Sequence, residues 1–299
     1  MDRKQFLRLS GLAFAGTFLP PLVSQSKFNL IKAANFTELR RNTGFFTGGG
    51  GTIGWLASSD AMVVIDSQFP DSAQECYDGL QKRTERSLEL LINTHHHADH
   101  TGGNSVFKEA NMKVAHANCP KLQKEFNSDR GPQVYADTVF QKSWKTDVGD
   151  ETIHLYHYGP AHTGGDAIVV FEKANVIHLG DLVFNRWYPF IDEAAGASIQ
   201  NWKDTLTKVT DEFPSDAIYI FGHGKEAFGV KGSRKDVIVM RDYLSAILHH
   251  VETGLLKEKS KQEIMDIEQL QAFPDHVSPG SERLSLKANL EVAYNELQN

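Results

Sequence analysis

The sequence contains little of several features that mark common protein classes. It has 2 cysteines in 299 residues, Cys76 and Cys119, and their spacing fits neither a redox pair nor a thiolate metal site. Lysine and arginine (31) are fewer than aspartate and glutamate (38), so the formal net charge is −7, and basic residues form no long run. A nucleic-acid partner is not expected, because binding to phosphate backbones needs a concentrated positive surface.

The uncharged stretch from Gly11 to Val23 is too short to cross a bilayer, which needs about 20 apolar residues. It follows Arg3, Lys4 and Arg8, and a basic segment before a short apolar one is typical of an export signal. The segment resembles a twin-arginine signal whose second arginine is replaced by lysine. We predict that residues 1–25 are an export signal, that the protein is periplasmic or secreted, and that it has no stable membrane anchor. An amphipathic N-terminal helix packed on the domain is the alternative.

Residues 27–299 contain no internal repeat and no linker rich in proline and serine, which predicts a single domain. Short apolar runs alternate with helical patterns along this segment. The expected strands are 52–56, 61–66, 88–94, 114–116, 152–156, 167–171, 175–179 and 217–221, and the expected helices are 71–84, 120–126, 199–213, 236–253 and 285–297. The pattern predicts an α/β fold in which two mixed sheets pack face to face with helices outside.

The densest group of the 13 histidines follows the apolar run 88–94. It has the order His95-His96-His97-Ala98-Asp99-His100. In an extended backbone His95 and His97 point to the same side and His96 to the other, because successive side chains alternate. Four imidazoles and a carboxylate in six residues are more polar groups than a structural role explains, since each buried polar group needs a partner. Because imidazole is the commonest metal ligand, the cluster indicates a metal site.

Three further candidates lie at the ends of later apolar runs, each next to glycine: His162, Asp181 and His223. Their placement predicts loops at one rim of the sheets, where they would join the first cluster. Five histidines and two carboxylates exceed one tetrahedral shell and therefore predict two ions. Nitrogen and oxygen ligands without thiolate favour zinc, with iron or manganese as alternatives.

The pattern His-x-His-x-Asp-His, followed by His, Asp and His in separate loops, resembles the metallo-β-lactamase superfamily over most of residues 44–224. The resemblance implies a four-layer αββα sandwich with a dinuclear site. It implies that one ion is bound by His95, His97 and His162, that the other is bound by Asp99, His100 and His223, and that Asp181 bridges them. It also implies that Asp66 supports the ligands without binding metal. The aspartate at position 181 resembles glyoxalase II-like thioesterases, lactonases and phosphodiesterases, which have aspartate at the matching position. The β-lactamase branches usually have cysteine or serine there.

We therefore predict an exported dinuclear zinc hydrolase of a small-molecule lactone, ester, thioester or β-lactam, acting by attack of a metal-bridged hydroxide that Asp99 orients. Trp55, Trp187 and Tyr188 are predicted to contact an apolar substrate, and residues 48–51, all glycine, to form a mobile hairpin over the metals. Two alternatives stay open: a mononuclear iron oxygenase that resembles persulfide dioxygenases, and a metal-binding protein without catalytic activity. The sequence leaves the oligomeric state open.

Overall fold

The computed structural model describes residues 35–298, so the predicted export signal at residues 1–25 lies outside the described residues. From Asn35 onward the chain packs as one unit. No helix within residues 35–298 has the length and apolar character needed to cross a membrane.

The first sheet has seven strands whose spatial order follows the chain. The first four strands are antiparallel neighbours, and the next three continue the sheet in parallel. The strands are β1 (Phe36–Glu38), β2 (Thr43–Phe46), β3 (Ile53–Ala57), β4 (Met62–Ile65), β5 (Leu90–Asn93), β6 (Met112–His116) and β7 (Thr138–Phe140).

The second sheet has six strands in the order β15-β13-β11-β10-β9-β8, and only β11 and β13 pair in parallel. Strands β12 and β14 pair in parallel and form a third sheet of two strands. The strands are β8 (Ser143–Val148), β9 (Glu151–Tyr156), β10 (Ile168–Phe171), β11 (Val176–His178), β12 (Phe184–Asn185), β13 (Ile218–Ile220), β14 (His223–Gly224) and β15 (Lys231–Gly232).

Three apolar layers hold the sheets and helices together. The inner faces of the two large sheets share one core, which includes Ile65, Ile92 and Val169. The outer face of the first sheet packs on one helix, and the outer face of the second shares a core with residues of four helices. The helices are α1 (Pro70–Leu80), α2 (Ala98–Thr101), α3 (Cys119–Phe126), α4 (Ile199–Glu212), α5 (Arg234–Leu256), α6 (Lys261–Met265) and α7 (Leu286–Gln298). The predicted αββα sandwich of two mixed sheets with outer helices is confirmed.

The strand directions bring the candidate ligands to one edge of the sandwich. Strands β4 and β5 are parallel in the first sheet, and β11 and β13 are parallel in the second. Asp66, His95, Asp181 and His223 each follow the carboxyl end of one of these four strands within three residues. The carboxyl ends of parallel strands share an edge, which is where α/β proteins place their sites.

Candidate metal centre

Three imidazole rings converge just after β5, with one ring nitrogen of each turned toward the others. His97 Nδ1 lies 3.0 Å from His95 Nε2 and 3.0 Å from His162 Nε2. His95 and His162 are buried, and His97 is only partly exposed. A carboxylate oxygen of Asp181 lies 3.9 Å from His95 Nε2 and 3.6 Å from His162 Nε2, so it faces the same point. The loop that carries His97 and the loop that carries His162 are more than sixty residues apart in sequence, yet their ligand atoms meet.

The opposite nitrogens of the three rings determine which atoms carry hydrogen. His97 Nε2 lies 2.8 Å from the Asp192 carboxylate and His162 Nδ1 lies 2.7 Å from the Phe190 carbonyl. Both partners only accept hydrogen bonds, so each of these nitrogens is a donor. His95 Nδ1 lies 3.0 Å from Thr94 Oγ1, whose own hydrogen is donated to Asp66. That ring nitrogen is therefore a donor too.

The nitrogens of His95 and His162 that face His97 therefore carry lone pairs, and both lie 3.0 Å from His97 Nδ1. Neither of these two nitrogens has a hydrogen to donate. Burial, and next the neighbouring rings, hold the pKa of His95 well below its ordinary value and lower the pKa of His162 to about 3, so these two rings are neutral. A cation is the partner that such a set fits, and neutral imidazoles with a carboxylate are ligands that zinc accepts.

A second group lies on the other side of Asp181 and consists of Asp99, His100 and His223. His223 Nε2 lies 3.0 Å from Asp99 Oδ2 and 3.4 Å from Asp181 Oδ2. His100 Nε2 lies 3.1 Å from Asp181 Oδ1, and this carboxylate oxygen is buried and accepts no hydrogen bond. Asp181 therefore borders both groups, and the described residues could hold one ion in each.

Charge in the second group is balanced between two rings and two carboxylates. Burial alone would lower the pKa of His223, but Asp181 and Asp99 outweigh it and raise that pKa to about 9. The same carboxylates hold the pKa of His100 well above its usual value in spite of burial. Burial would raise the pKa values of Asp99 and Asp181, but the two rings lower both below the usual range. Without a cation, the second group is therefore a cluster of ion pairs.

Proton release should distinguish the two groups when zinc is added. Below pH 9 the His223 ring is protonated, so zinc must displace that proton and the one on His100, and zinc affinity at this group should rise with pH up to about 9. The His95 and His162 rings are already neutral and have no proton to release. We expect calorimetry at pH 7 in two buffers of different ionisation enthalpy to show proton release mainly with one of the two equivalents of zinc, the one that fills the second group. Equal release with both equivalents would contradict this assignment.

Asp66 supports both groups from behind and does not face the converging ligand atoms. Its carboxylate accepts hydrogen bonds from the backbone and hydroxyl of Thr94, at 2.8 and 2.7 Å, and lies 2.8 Å from His100 Nδ1. It follows β4 with a left-handed backbone (φ 62°), which is uncommon for a residue other than glycine. One buried carboxylate thus fixes the orientation of His100 directly and of His95 through Thr94.

Of the glycines at residues 48–51, Gly51 is buried against the second group, whereas Gly48, Gly49 and Gly50 are exposed, and the mobile hairpin expected from sequence stays a prediction. The amide of Gly51 donates to the Asp99 carbonyl at 3.0 Å, and its carbonyl accepts a hydrogen bond from the Gln68 side chain. A Cβ at position 51 would lie 2.2 Å from the His100 ring. Glycine is therefore needed here so that the loop can approach His100 closely.

Asp192 is a contributor to the site that sequence reasoning missed. Its carboxylate lies 2.8 Å from His97 Nε2 and 3.7 Å from His96 Nε2, and it also accepts from the Ala195 amide at 3.2 Å. His96, His97 and Asp192 form a third group of residues that could hold a metal, although His97 and Asp192 already serve the first. An isolated aspartate after an aromatic stretch gives no signal in the sequence that it meets a histidine 95 residues away.

We expect Asp192→Ala to lower zinc affinity at the three-histidine group by about 10- to 100-fold, because His97 then loses the acceptor that fixes its tautomer. Asp192→Asn, which keeps a neutral acceptor, should have a smaller effect. Glu193→Ala is the matched control, because this carboxylate lies in the same turn and contacts the Asn295 amide rather than a histidine. Zinc competition with a chromophoric chelator measures all three variants. Equal losses in Asp192→Ala and Glu193→Ala would contradict the role of Asp192.

A cleft with a volume of about 840 Å³ opens over the two groups. His97, Asp99, Asp181 and His223 form its polar floor, and Trp187 borders it with its ring stacked at 5.9 Å on the His223 ring. Trp187 thus lies at the border of the cleft, and its predicted substrate contact stays a prediction.

The structure does not bring the other two predicted substrate contacts to this cleft. Trp55 is 1% exposed and packs in the core beneath α1, because alternation along β3 turns its side chain to the outer face of the sheet. Tyr188 is 7% exposed and packs against the rings of Tyr243 and His276. Both prefer the core because burial of a large aromatic ring is favourable.

Comparisons with known proteins match this chain to one protein superfamily. The family model of the metallo-β-lactamase superfamily matches residues 46–223. A type 2 metallo-β-lactamase of Elizabethkingia meningoseptica is 25% identical over 180 residues, which cover 56% of this chain and 67% of that protein. The corresponding protein of Bacillus cereus is 24% identical, over 57% of this chain and 65% of its own length. The chain thus spans about two thirds of the length of these curated relatives.

Two solved structures share the fold at low sequence identity. The metallo-β-lactamase of Pontibacter korlensis superposes with a TM-score of 0.57 at 16% identity, over 70% of this chain and 98% of its own. The sec-alkylsulfatase Pisa1 of Pseudomonas sp. superposes with a TM-score of 0.71 at 11% identity, over 87% of this chain and 50% of its own.

Proposed function

The chain belongs to the metallo-β-lactamase superfamily, and on that premise we propose that it is a dinuclear zinc hydrolase of a small-molecule lactone, ester, thioester or β-lactam. The observation that carries the proposal is the set of three converging imidazole nitrogens beside Asp181, with a second ion-pair cluster on its other side. Both groups open into one cleft. Seven side chains are proposed as ligands: His95, His97, His162, Asp181, Asp99, His100 and His223.

Bound zinc would supply Lewis acidity, which polarises a carbonyl and lowers the pKa of water toward neutrality. The chain itself would orient and deprotonate the attacking water. Asp99 is suited to this role, because its side chain is 29% exposed toward the cleft and the neighbouring rings keep its pKa low, so it is ionised and can accept a hydrogen bond. No serine or cysteine nucleophile is required, since Cys76 and Cys119 are buried and burial raises the pKa of both thiols.

Metal analysis combined with a substrate panel tests this proposal. We expect purified protein to bind two zinc ions per chain and to hydrolyse at least one chromogenic lactone, aryl ester, thioester or lactam, with activity lost after chelation and restored by zinc. One bound iron with oxygen-dependent activity would identify an oxygenase instead. Two bound ions without turnover of any panel member would overturn the proposed hydrolase.

We also propose that residues 1–25 direct export and that the mature protein is periplasmic or secreted. The support is the basic segment followed by a short apolar stretch. Cell fractionation with N-terminal sequencing of the protein tests this directly. An uncleaved protein confined to the cytoplasm would contradict the proposal.

A further inference from the structure

The cleft has two walls that come from different parts of the chain. One wall includes Phe126 and Arg130, at the end of α3 and in the loop after it. Another part of the lining, the C-terminal wall, includes Pro279, Arg283 and Leu284, which lie beyond the segment that the family model matches. Because this wall comes from outside the matched segment, it is the place to look for substrate selection.

Hydrogen bonds hold the C-terminal wall against the loop that carries Trp187. Trp187 and Val277 form a β-bridge, in which the Tyr188 amide donates to the Val277 carbonyl at 3.0 Å. Further along, Asn289 donates to the Pro189 carbonyl at 2.7 Å, and its own side-chain oxygen accepts from the Tyr243 hydroxyl. Both Asn289 and Tyr243 are buried. The wall is thus fixed in place before any ligand binds, which lowers the entropic cost of binding.

Large apolar side chains face the open part of the cleft. Phe69 and Phe126 are 42% and 38% exposed, among the few large apolar side chains on the described surface. Trp187, Phe190, Leu284 and Val292 continue the apolar lining. Exposed apolar surface of this kind in a concave site is typical of a binding cleft for an apolar molecule.

Two guanidinium groups lie in the same lining without a partner. In the described part of the chain, the side chains of Arg130 and Arg283 form no hydrogen bond or ion pair, and both residues are exposed at the cleft. The acidic lining residues are committed elsewhere: Asp99 and Asp181 to the metal groups, Asp192 to His97, and Glu193 to the Asn295 amide. The rim therefore offers positive charge that no internal carboxylate neutralises.

We propose that the substrate is an amphiphilic anion, in which an apolar body lies along the aromatic lining and an acidic group binds to Arg130 and Arg283. This inference rests on the proposed hydrolase function, since it names the class of molecule presented to the metal groups. Guanidinium groups suit this role because they bind carboxylates and other oxyanions with paired hydrogen bonds. The bond to be hydrolysed would then be the bond of this molecule that faces the polar floor of the cleft.

Binding to metal-free protein tests the inference without relying on turnover. Three probes separate the contributions: octanoate carries both features, 1-octanol lacks the charge and acetate lacks the apolar chain. We expect octanoate to bind at least tenfold more tightly than either of the others, measured by calorimetry or by intrinsic tryptophan fluorescence. In the double variant Arg130→Gln/Arg283→Gln, the advantage of octanoate over 1-octanol should fall at least tenfold.

Arg86→Gln is the matched control, because Arg86 is also exposed and makes no side-chain ion pair, but it lies in the loop after α1. Circular dichroism checks that each variant is folded. An unchanged octanoate advantage in the double variant, or an equal loss in Arg86→Gln, would overturn the inference even if the protein is an active hydrolase. Selective octanoate binding in a protein that hydrolyses nothing would support the anion-binding rim and reject the hydrolase, so the two failures are distinguishable.

Discussion

Asp99→Asn is expected to lower kcat by about 100- to 10,000-fold with little change in KM, because the amide cannot accept the proton that a carboxylate removes from water. Asn has nearly the same shape as Asp, so the loop and the His223 contact at 3.0 Å should persist. Steady-state kinetics on the best substrate of the panel measures the change, and zinc content is determined on the same samples.

Asp211→Asn serves as the matched control, because Asp211 is an exposed residue of α4 away from the cleft. It should leave both kcat and zinc content at the wild-type level. If Asp99→Asn kept its full kcat with two ions bound, Asp99 would have no role in proton transfer. If it lost the second ion, addition of excess zinc would separate weak metal binding from lost chemistry.

Gly51→Ala is expected to lower kcat/KM by about 100-fold through loss of metal at the second group. The new Cβ would lie 2.2 Å from the His100 ring, so either the ring or the loop must move. His100 cannot shift freely, because Asp66 holds its other nitrogen at 2.8 Å in a buried site. Overpacking of this kind also costs about 1–3 kcal/mol of stability.

The same loop provides the control, because a Cβ on Gly49 would meet nothing closer than Ser72 Oγ at 3.9 Å. Gly49→Ala should therefore retain wild-type zinc content, activity and melting temperature. Metal analysis and thermal denaturation of the two variants together test whether close packing on His100, rather than loop flexibility, explains why residue 51 is glycine. Similar behaviour of both variants would reject the packing explanation.

Buried runs and their order could be read from the sequence, because a strand covered on both faces is continuously apolar. Strands β3, β4, β5 and β10 are fully buried; the last three lie within predicted runs, and β3 extends one residue beyond the run predicted at 52–56. Strand β8 was missed because its residues alternate between exposed and half-buried positions and include Lys145 and Asp147. The pattern of its sequence, Ser-Trp-Lys-Thr-Asp-Val, is that of a solvent-facing edge strand, which carries little apolar signal.

The candidate site was partly predictable because its residues cluster in sequence or end apolar runs. The directions in which these side chains point were harder to predict from the sequence. Trp55 belongs to a strand near the glycine-rich loop, but period-two alternation sends its ring to the far side of the sheet. Asp192 was missed for a different reason: its partner His97 is 95 residues away, and only the fold brings them together.

The span of the proposed ligands along the chain has a mechanical consequence. They extend from His95 to His223, so a pair of bound cations would cross-link the carboxyl ends of strands from both large sheets. A cross-link that closes long loops restricts the unfolded chain, and a ligand that binds only the folded state stabilises it in proportion to its free concentration. Chelation would then remove this cross-link from the rim of the sandwich, so the supply of metal would set how long the molecule resists proteases.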